Sequence, residues 1–310
     1  MPMTTTTPST TSAERFARLE QETMVVAGQP SKVFGGTFGI VREIFAHRQL
    51  LDLLIRRDLK SRYKDSALGF VWTLIRPITQ LIIYYFVMGQ ILGAARSIPE
   101  FAIYIFSGLT IYGLFSEIIA GSTSSIVSNG GLIKKVYTPR EIYPLASIGS
   151  ALFNFAIQLL VLFVATLVTG SFPLHLDLLY FFPSVVLVLV YGTAFGLLLA
   201  ALNVYLRDMQ YLVEVLLMLA MWASPIVYSW NMVANGLSAS HGWLLQLYTD
   251  NPVTLAVLGF HRAFWTGGDA SHYPDELLLR MGVASLVGLV LVYAFHRVFA
   301  RLQGNFAQEL

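Results

Sequence analysis

Residues 142–170 read IYPLASIGSALFNFAIQLLVLFVATLVTG, with no charged side chain among them. A helix needs about 20 mostly apolar residues to cross roughly 30 Å of hydrocarbon, at about 1.5 Å of rise per residue. This stretch is long enough to do so. Residues 178–206 repeat the pattern, again without a charge. Working outward, 72–94 qualifies with Arg76 near its start, and 101–127 with Glu117 as its one acid. Residues 211–230 carry only Glu214, near their beginning, and 277–300 lie between Arg280 and the pair His296–Arg297. The reading predicts an all-α integral membrane protein with six transmembrane helices.

Composition agrees. Of 310 residues, 55% are hydrophobic and 12% charged, about half the roughly 25% of a soluble protein. Mean hydropathy is +0.64. So few charges cannot cover a soluble surface, which excludes an ordinary cytosolic enzyme. The absence of cysteine excludes disulfides, thiolate metal sites and cysteine nucleophiles. A net charge of +2 is too small to argue for nucleic acid as a partner.

Three segments fall outside the spans. Residues 1–30 open with MPMTTTTPSTTS and have the composition of a disordered cytoplasmic tail. Residues 31–71 form a cytoplasmic segment that includes 47–64, HRQLLDLLIRRDLKSRYK, where Leu51, Leu54, Ile55, Leu59 and Tyr63 recur at helical spacing. Arg57, Lys60 and Lys64 lie opposite, the pattern of an amphipathic helix in the membrane interface. Residues 243–265 are apolar but interrupted at Thr249-Asp250-Asn251-Pro252, and Pro252 cannot continue a helix from before it. The pieces are too short to cross, so they are expected as a re-entrant outer hairpin, covered by protein or water.

Orientation follows from the basic residues. With six spans, Lys134, Lys135, Arg140 and Arg207 fall in short inner loops and only Arg96 in a short outer one. Both termini are therefore expected in the cytoplasm, with 305–310 as a cytoplasmic tail.

The words at the span entrances are specific. Arg57-Asp58-Leu59-Lys60-Ser61-Arg62-Tyr63-Lys64-Asp65-Ser66, then Leu68-Gly69, Trp72 and Arg76-Pro77, resemble the entry motif of ABC-2-type polysaccharide exporter permeases. These Wzm-type subunits serve O-antigen, capsule and teichoic-acid export. Tyr205-Leu206-Arg207-Asp208-Met209-Gln210-Tyr211 with Ser224-Pro225-Ile226-Val227-Tyr228 is similar to the family's fourth-to-fifth-span signature. Asn251-Pro252 with Gly259-Phe260-His261-Arg262 is similar to its outer hairpin. The resemblance covers residues 45–305, an ABC-2 type transmembrane domain placed at 72–304. It implies a homodimer of six-span subunits, two copies of a cytosolic ABC ATPase that bind the ATP and Mg, and a channel for lipid-linked polysaccharide. Asn251, Pro252, Phe260 and Arg262 would then belong to an outer gate.

The residues bear on each of these points. No Gly-Lys dipeptide occurs, so no phosphate-cradling loop is present and this chain needs no cofactor of its own. In the inner loop, Gly130 and Gly131 break the second span and a short helix is expected over Leu132–Tyr137. Leu132, Lys134, Lys135 and Tyr137 would couple to the ATPase, or anchor the loop to headgroups. Aromatic rings bind the C–H faces of sugars without locking them, and a conduit needs weak, repeated sites. Tyr84, Tyr85 and Phe86 in the first span, and Trp222, Tyr228 and Trp230 in the fifth, suit a channel wall, although Tyr and Trp also populate headgroup belts.

Arg57, Arg62 and Lys64 suit a pyrophosphate lipid headgroup. Glu117 is open to a structural hydrogen-bond role or a subunit-contact role, and Arg207, Asp208 and Glu214 are expected to pair with other charges at the inner boundary, Arg76 among the candidates. His47-x-x-x-x-Asp52 has an acyltransferase-like spacing, but on a helix the two side chains point about 140° apart. The outer histidines and aspartates have no metal-site spacing. The expected function is the permease subunit of an ATP-driven exporter of lipid-linked polysaccharide, with cell-wall galactan favoured by the Thr-rich N-terminus over O-antigen or teichoic acid. The alternatives are a small-molecule or drug exporter of the same architecture, or a membrane glycosyl- or acyltransferase.

Overall fold

A computed structural model describes residues 46–63, 71–91, 93, 96, 98–135, 138–237 and 242–310, all within the unit Ile40–Leu310. The N-terminal tail 1–30, Lys64 and Tyr137 lie outside the described residues, as do the side chains of Arg62 and Arg76.

The amphipathic segment forms α1 (Arg48–Tyr63). Its apolar stripe is set down on the bundle: Leu54 is 1% exposed, while Leu53, on the far side, is 61% exposed. The first span is α2 (Val71–Ile83), continued by a π-helical stretch Tyr84–Ile91. Next come α3 (Phe101–Ser128), the short α4 (Gly130–Ile133) and α5 (Ile142–Thr169). A 3₁₀ turn (Leu176–Tyr180) leads into α6 (Phe181–Tyr205). Then follow α7 (Met209–Trp222), α8 (Trp230–Leu237), α9 (Gly242–Thr249) and α10 (Pro252–Phe264). The long α11 (Leu277–Leu302) and the short α12 (Phe306–Glu309) end the chain.

Among the described residues, five helical stretches are long and apolar enough to cross a membrane: Val71–Ile91, Phe101–Ser128, Ile142–Thr169, Leu176–Tyr205 and Ala270–Glu309. The expected span over 211–230 is not one helix. It stops at Trp222 after 14 residues, about 21 Å of rise. Pro225 is the physical reason, because its ring clashes with the preceding turn and it has no N–H to donate.

α3 is the centre of the bundle, buried on nearly every side, as expected of a helix apolar all round. Small residues spaced by four let α6 approach it. A Cβ on Gly192 would lie 2.8 Å from Ile118 Cγ2, and one on Gly196 would lie 2.9 Å from Ser122 Cβ. This is the small-residue contact by which helices pack in lipid. A second core joins Leu54 of α1, Ile133 of α4, Tyr143 of α5, Val204 of α6, Phe299 of α11 and Phe306 of α12.

The break expected in 243–265 is present. The Asn251 side chain accepts from Val253 N–H at 2.9 Å, and Pro252 takes the first helical position of α10. From Val253 to Phe264, every residue of α10 except Arg262 is buried. The inner-loop helix differs from expectation. It begins at the two glycines instead of following them, and ends at Ile133, with Lys134 as its cap. Gly130 is there for packing, since the Leu310 side chain lies over it.

Candidate functional site

Between α2, α3 and α5 lies a cleft of about 1290 Å³. Its wall is unusually polar for the middle of apolar helices: Thr73 and Gln80 come from α2, Ser116 and Glu117 from α3, and Asn154 and Gln158 from α5. Asn154 and Gln158 are one helical turn apart and so share a face. Asn154 Nδ2–H donates to Glu117 Oε1 at 2.5 Å, tying α5 to α3. The Asn154 Oδ1 atom is buried and has no hydrogen-bond partner among the described residues. Gly113 makes room for Gln158, whose Oε1 lies 3.3 Å from where a Cβ would sit.

Of the six rings expected on a channel wall, Tyr84 lines this cleft, and so does Met221, the neighbour of Trp222. Tyr85 and Phe86 are exposed and meet edge to face at 6.0 Å. Trp222 is exposed. Tyr228 and Trp230 belong to the corner between α7 and α8. Tyr228 donates its hydroxyl hydrogen to the Trp222 carbonyl at 2.8 Å and accepts from the Tyr248 hydroxyl at 3.3 Å. Trp230 Nε1–H donates to Thr249 Oγ1 at 3.1 Å.

That corner is buried at Ser224, Pro225 and Ile226, so protein covers its irregular backbone. Tyr104, a residue that sequence reasoning missed, supplies its hydroxyl to the Pro225 and Tyr228 carbonyls at 2.9 and 2.8 Å. His261 stacks on Tyr104 with ring centroids 4.0 Å apart. It is 1% exposed, and burial pushes its pKa down to about 3, so the ring is neutral.

The four outer-gate candidates are fixed in packed surroundings. Asn251 and Pro252 start α10 and border a second, apolar cavity of about 560 Å³ between α3, α6 and α7. Phe260 is fully buried, between Phe155 at 6.0 Å and Phe264 at 4.8 Å. Arg262 stacks over the Tyr180 ring at 4.5 Å, with Asp177 at 3.4 Å.

At the end of the bundle where α1 packs, Arg57 turns back onto Asp58 at 2.8 Å and Asn129 at 2.7 Å, which links α1 to the end of α3. Leu132 is half-buried, and Lys134 and Lys135 are exposed. Arg207, Asp208 and Glu214 are exposed, and among the described residues none of them forms an ion pair. No cluster among the described residues is suited to hold a metal.

Residues 49–265 match the family model of the ABC-2 type transporter. The chain is 31% identical over 273 residues to the O-antigen export system permease protein RfbA of Myxococcus xanthus, spanning 87% of this chain and 99% of that protein. It is 27% identical over 265 residues to RfbA of Klebsiella pneumoniae, spanning 84% and 96%. With the polysialic acid transport protein KpsM of Escherichia coli it shares 22% identity over 182 residues, spanning 57% and 69%. The family match takes in the entry helix, the polar cleft, the α7–α8 corner and the broken hairpin, and it covers well over half of the chain: this is a multi-pass membrane protein of the ABC-2 type transporter family.

Proposed function

We propose that this chain is the membrane subunit of an ATP-driven exporter of lipid-linked polysaccharide, and that the polar cleft edged by Tyr84 is part of the sugar's path. The cleft is the observation that carries the reading. Carboxamides, hydroxyls and one carboxylate set among apolar residues suit a hydroxyl-rich polymer, and the nearby rings Tyr85, Phe86 and Trp222 suit its C–H faces. Relatives named for O-antigen export and polysialic acid transport support a polysaccharide cargo.

In this reading two copies of the chain face each other and enclose the path. The exposed faces of α2 and α7 meet across the dimer, and α7 together with its corner makes a sixth crossing. Both termini lie in the cytoplasm. Two copies of a separate ABC ATPase dock beneath, on Leu132, Lys134, Lys135 and Tyr137, and bind the ATP and Mg. Arg57, Arg62 and Lys64 draw in the pyrophosphate headgroup. The outer hairpin, with Asn251, Pro252, Phe260 and Arg262, closes the far end. Galactan, O-antigen and teichoic acid all satisfy this chemistry.

The test is to reconstitute the chain with its ATPase subunit in vesicles and add lipid-linked polysaccharide. Faster nucleotide hydrolysis, together with polymer appearing on the far leaflet, is expected. Hydrolysis by the purified membrane subunit alone, or no response to any polysaccharide, would reject the reading.

A further inference from the structure

The inner end of the bundle holds a cluster that transport as proposed leaves unused. Phe306 is fully buried, 5.5 Å from the Phe299 ring and 6.2 Å from the Tyr205 ring, with the Arg140 guanidinium 5.8 Å away. The Tyr205 hydroxyl donates to the Leu302 carbonyl at 2.8 Å, and Gln303 Nε2–H donates to Glu141 Oε1 at 3.4 Å. These contacts turn the segment Gln303–Leu310 back under the inner loop. Leu310 then rests on Gly130, the first residue of α4. A Cβ on Gly130 would lie 3.6 Å from Leu310 Cβ and 3.4 and 3.7 Å from its methyl groups. Nearby, Arg57 of α1 holds Asn129, the residue just before α4, at 2.7 Å. A helix of four residues cannot sustain itself, because its first turn fixes several dihedrals for one hydrogen bond. α4 takes its shape from these neighbours.

We propose that Gln303–Leu310 is a positioning element for α4. Leu310 on Gly130 and Arg57 on Asn129 hold the inner loop rigid, so that a push from the ATPase reaches α3 and α5 and is not absorbed by the loop. The contact persists through the whole transport cycle. The proposal rests on the exporter reading only for the identity of the pushing partner.

The test uses the full complex of this chain with its ATPase subunit. Leu310 is half-buried, so Leu310→Ala spares the core that Phe306 fills. Assembly and nucleotide hydrolysis should persist, while export per nucleotide hydrolysed falls on the order of five-fold, the lower end of coupling between sites. Leu310→Met should restore the ratio. The chain has no cysteine, so the pair Gly130→Cys and Leu310→Cys can be oxidised cleanly. A Cβ–Cβ distance of 3.6 Å falls inside the disulfide range of about 3.5–4.5 Å.

The reduced pair should behave like Leu310→Ala, and oxidation should bring coupling back. Three results overturn the proposal: no disulfide forms, Leu310→Ala leaves the ratio unchanged, or oxidation stops export. A purely structural role would lower assembly, hydrolysis and export together, leaving the ratio unmoved. A wild-type complex that exports no polysaccharide rejects the exporter reading itself, and that result needs no variant.

Discussion

The hydroxyl of Tyr104 lies 2.9 Å from the carbonyl oxygen of Pro225, joining the N-terminal end of α3 to the buried corner that ends α7. The same hydroxyl lies 2.8 Å from the Tyr228 carbonyl. Tyr104→Phe keeps the ring and removes the donor. Leaving buried acceptors unmatched costs about 1–3 kcal/mol. The variant should melt at a lower temperature in detergent, and a melting curve that overlays the wild type would show that the corner is held by other means.

The Asn154–Glu117 bond makes a prediction of sign as well as size. Interhelical hydrogen bonds inside membranes average about 0.6 kcal/mol, so Asn154→Leu should cost little stability. Asn154→Asp sets a second carboxylate against the first and should be clearly worse. Detergent unfolding of the two variants decides, and an aspartate variant as stable as the leucine variant contradicts this account.

Gly192 is one of the two glycines at which α6 closely approaches α3. Gly192→Ala places a methyl 2.8 Å from Ile118 Cγ2 and should destabilise by about 1–3 kcal/mol. Adding Ile118→Ala should recover part of that loss, so the two changes will not add. Gly282 in α11 has nothing within 4 Å of an added methyl, so Gly282→Ala should be neutral or mildly stabilising. Equal effects at the two glycines would refute the packing argument.

His261 gives the fold an acid sensitivity. Its pKa is 6.5 when unperturbed and about 3 in the folded protein. As pH falls below about 6.5 the unfolded chain takes up a proton that the folded chain refuses. Stability from this group is therefore flat above that pH and declines by about 1.4 kcal/mol per unit below it. His261→Leu should remove that part of the slope. Wild-type and variant stability curves running parallel through the acid range would show that the ring takes up its proton without unfolding.

Much of the fold is legible in the chain because long uncharged runs admit few structures. The starts of α3 and α5 fall at the residues the hydropathy pattern marks, and α1 keeps its apolar stripe inward. Asn251-Pro252 announces the hairpin break through local chemistry alone. Pro225 is in plain view but outweighed by the apolar residues around it, so hydropathy makes α7 too long. Gly130 looks like a breaker because its partner, Leu310, is far away in sequence. The cleft is half visible. Glu117 stands out as an acid in an apolar run, whereas Asn154 and Gln158 are uncharged and give no signal until α5 is set against α3. Tyr104 escapes notice for the same reason: nothing along the chain says which carbonyls a tyrosine will meet.

The abbreviated length of α7 has a consequence for the lipid beside it. A cylinder of about 21 Å leaves roughly 9 Å of a 30 Å hydrocarbon slab without a matching wall, and acyl chains respond to such a shortfall by drawing the leaflets together. On the exporter reading, the corner at 224–228 makes up that height with irregular backbone, and any height it leaves unfilled would be met by a bilayer thinned beside Trp222.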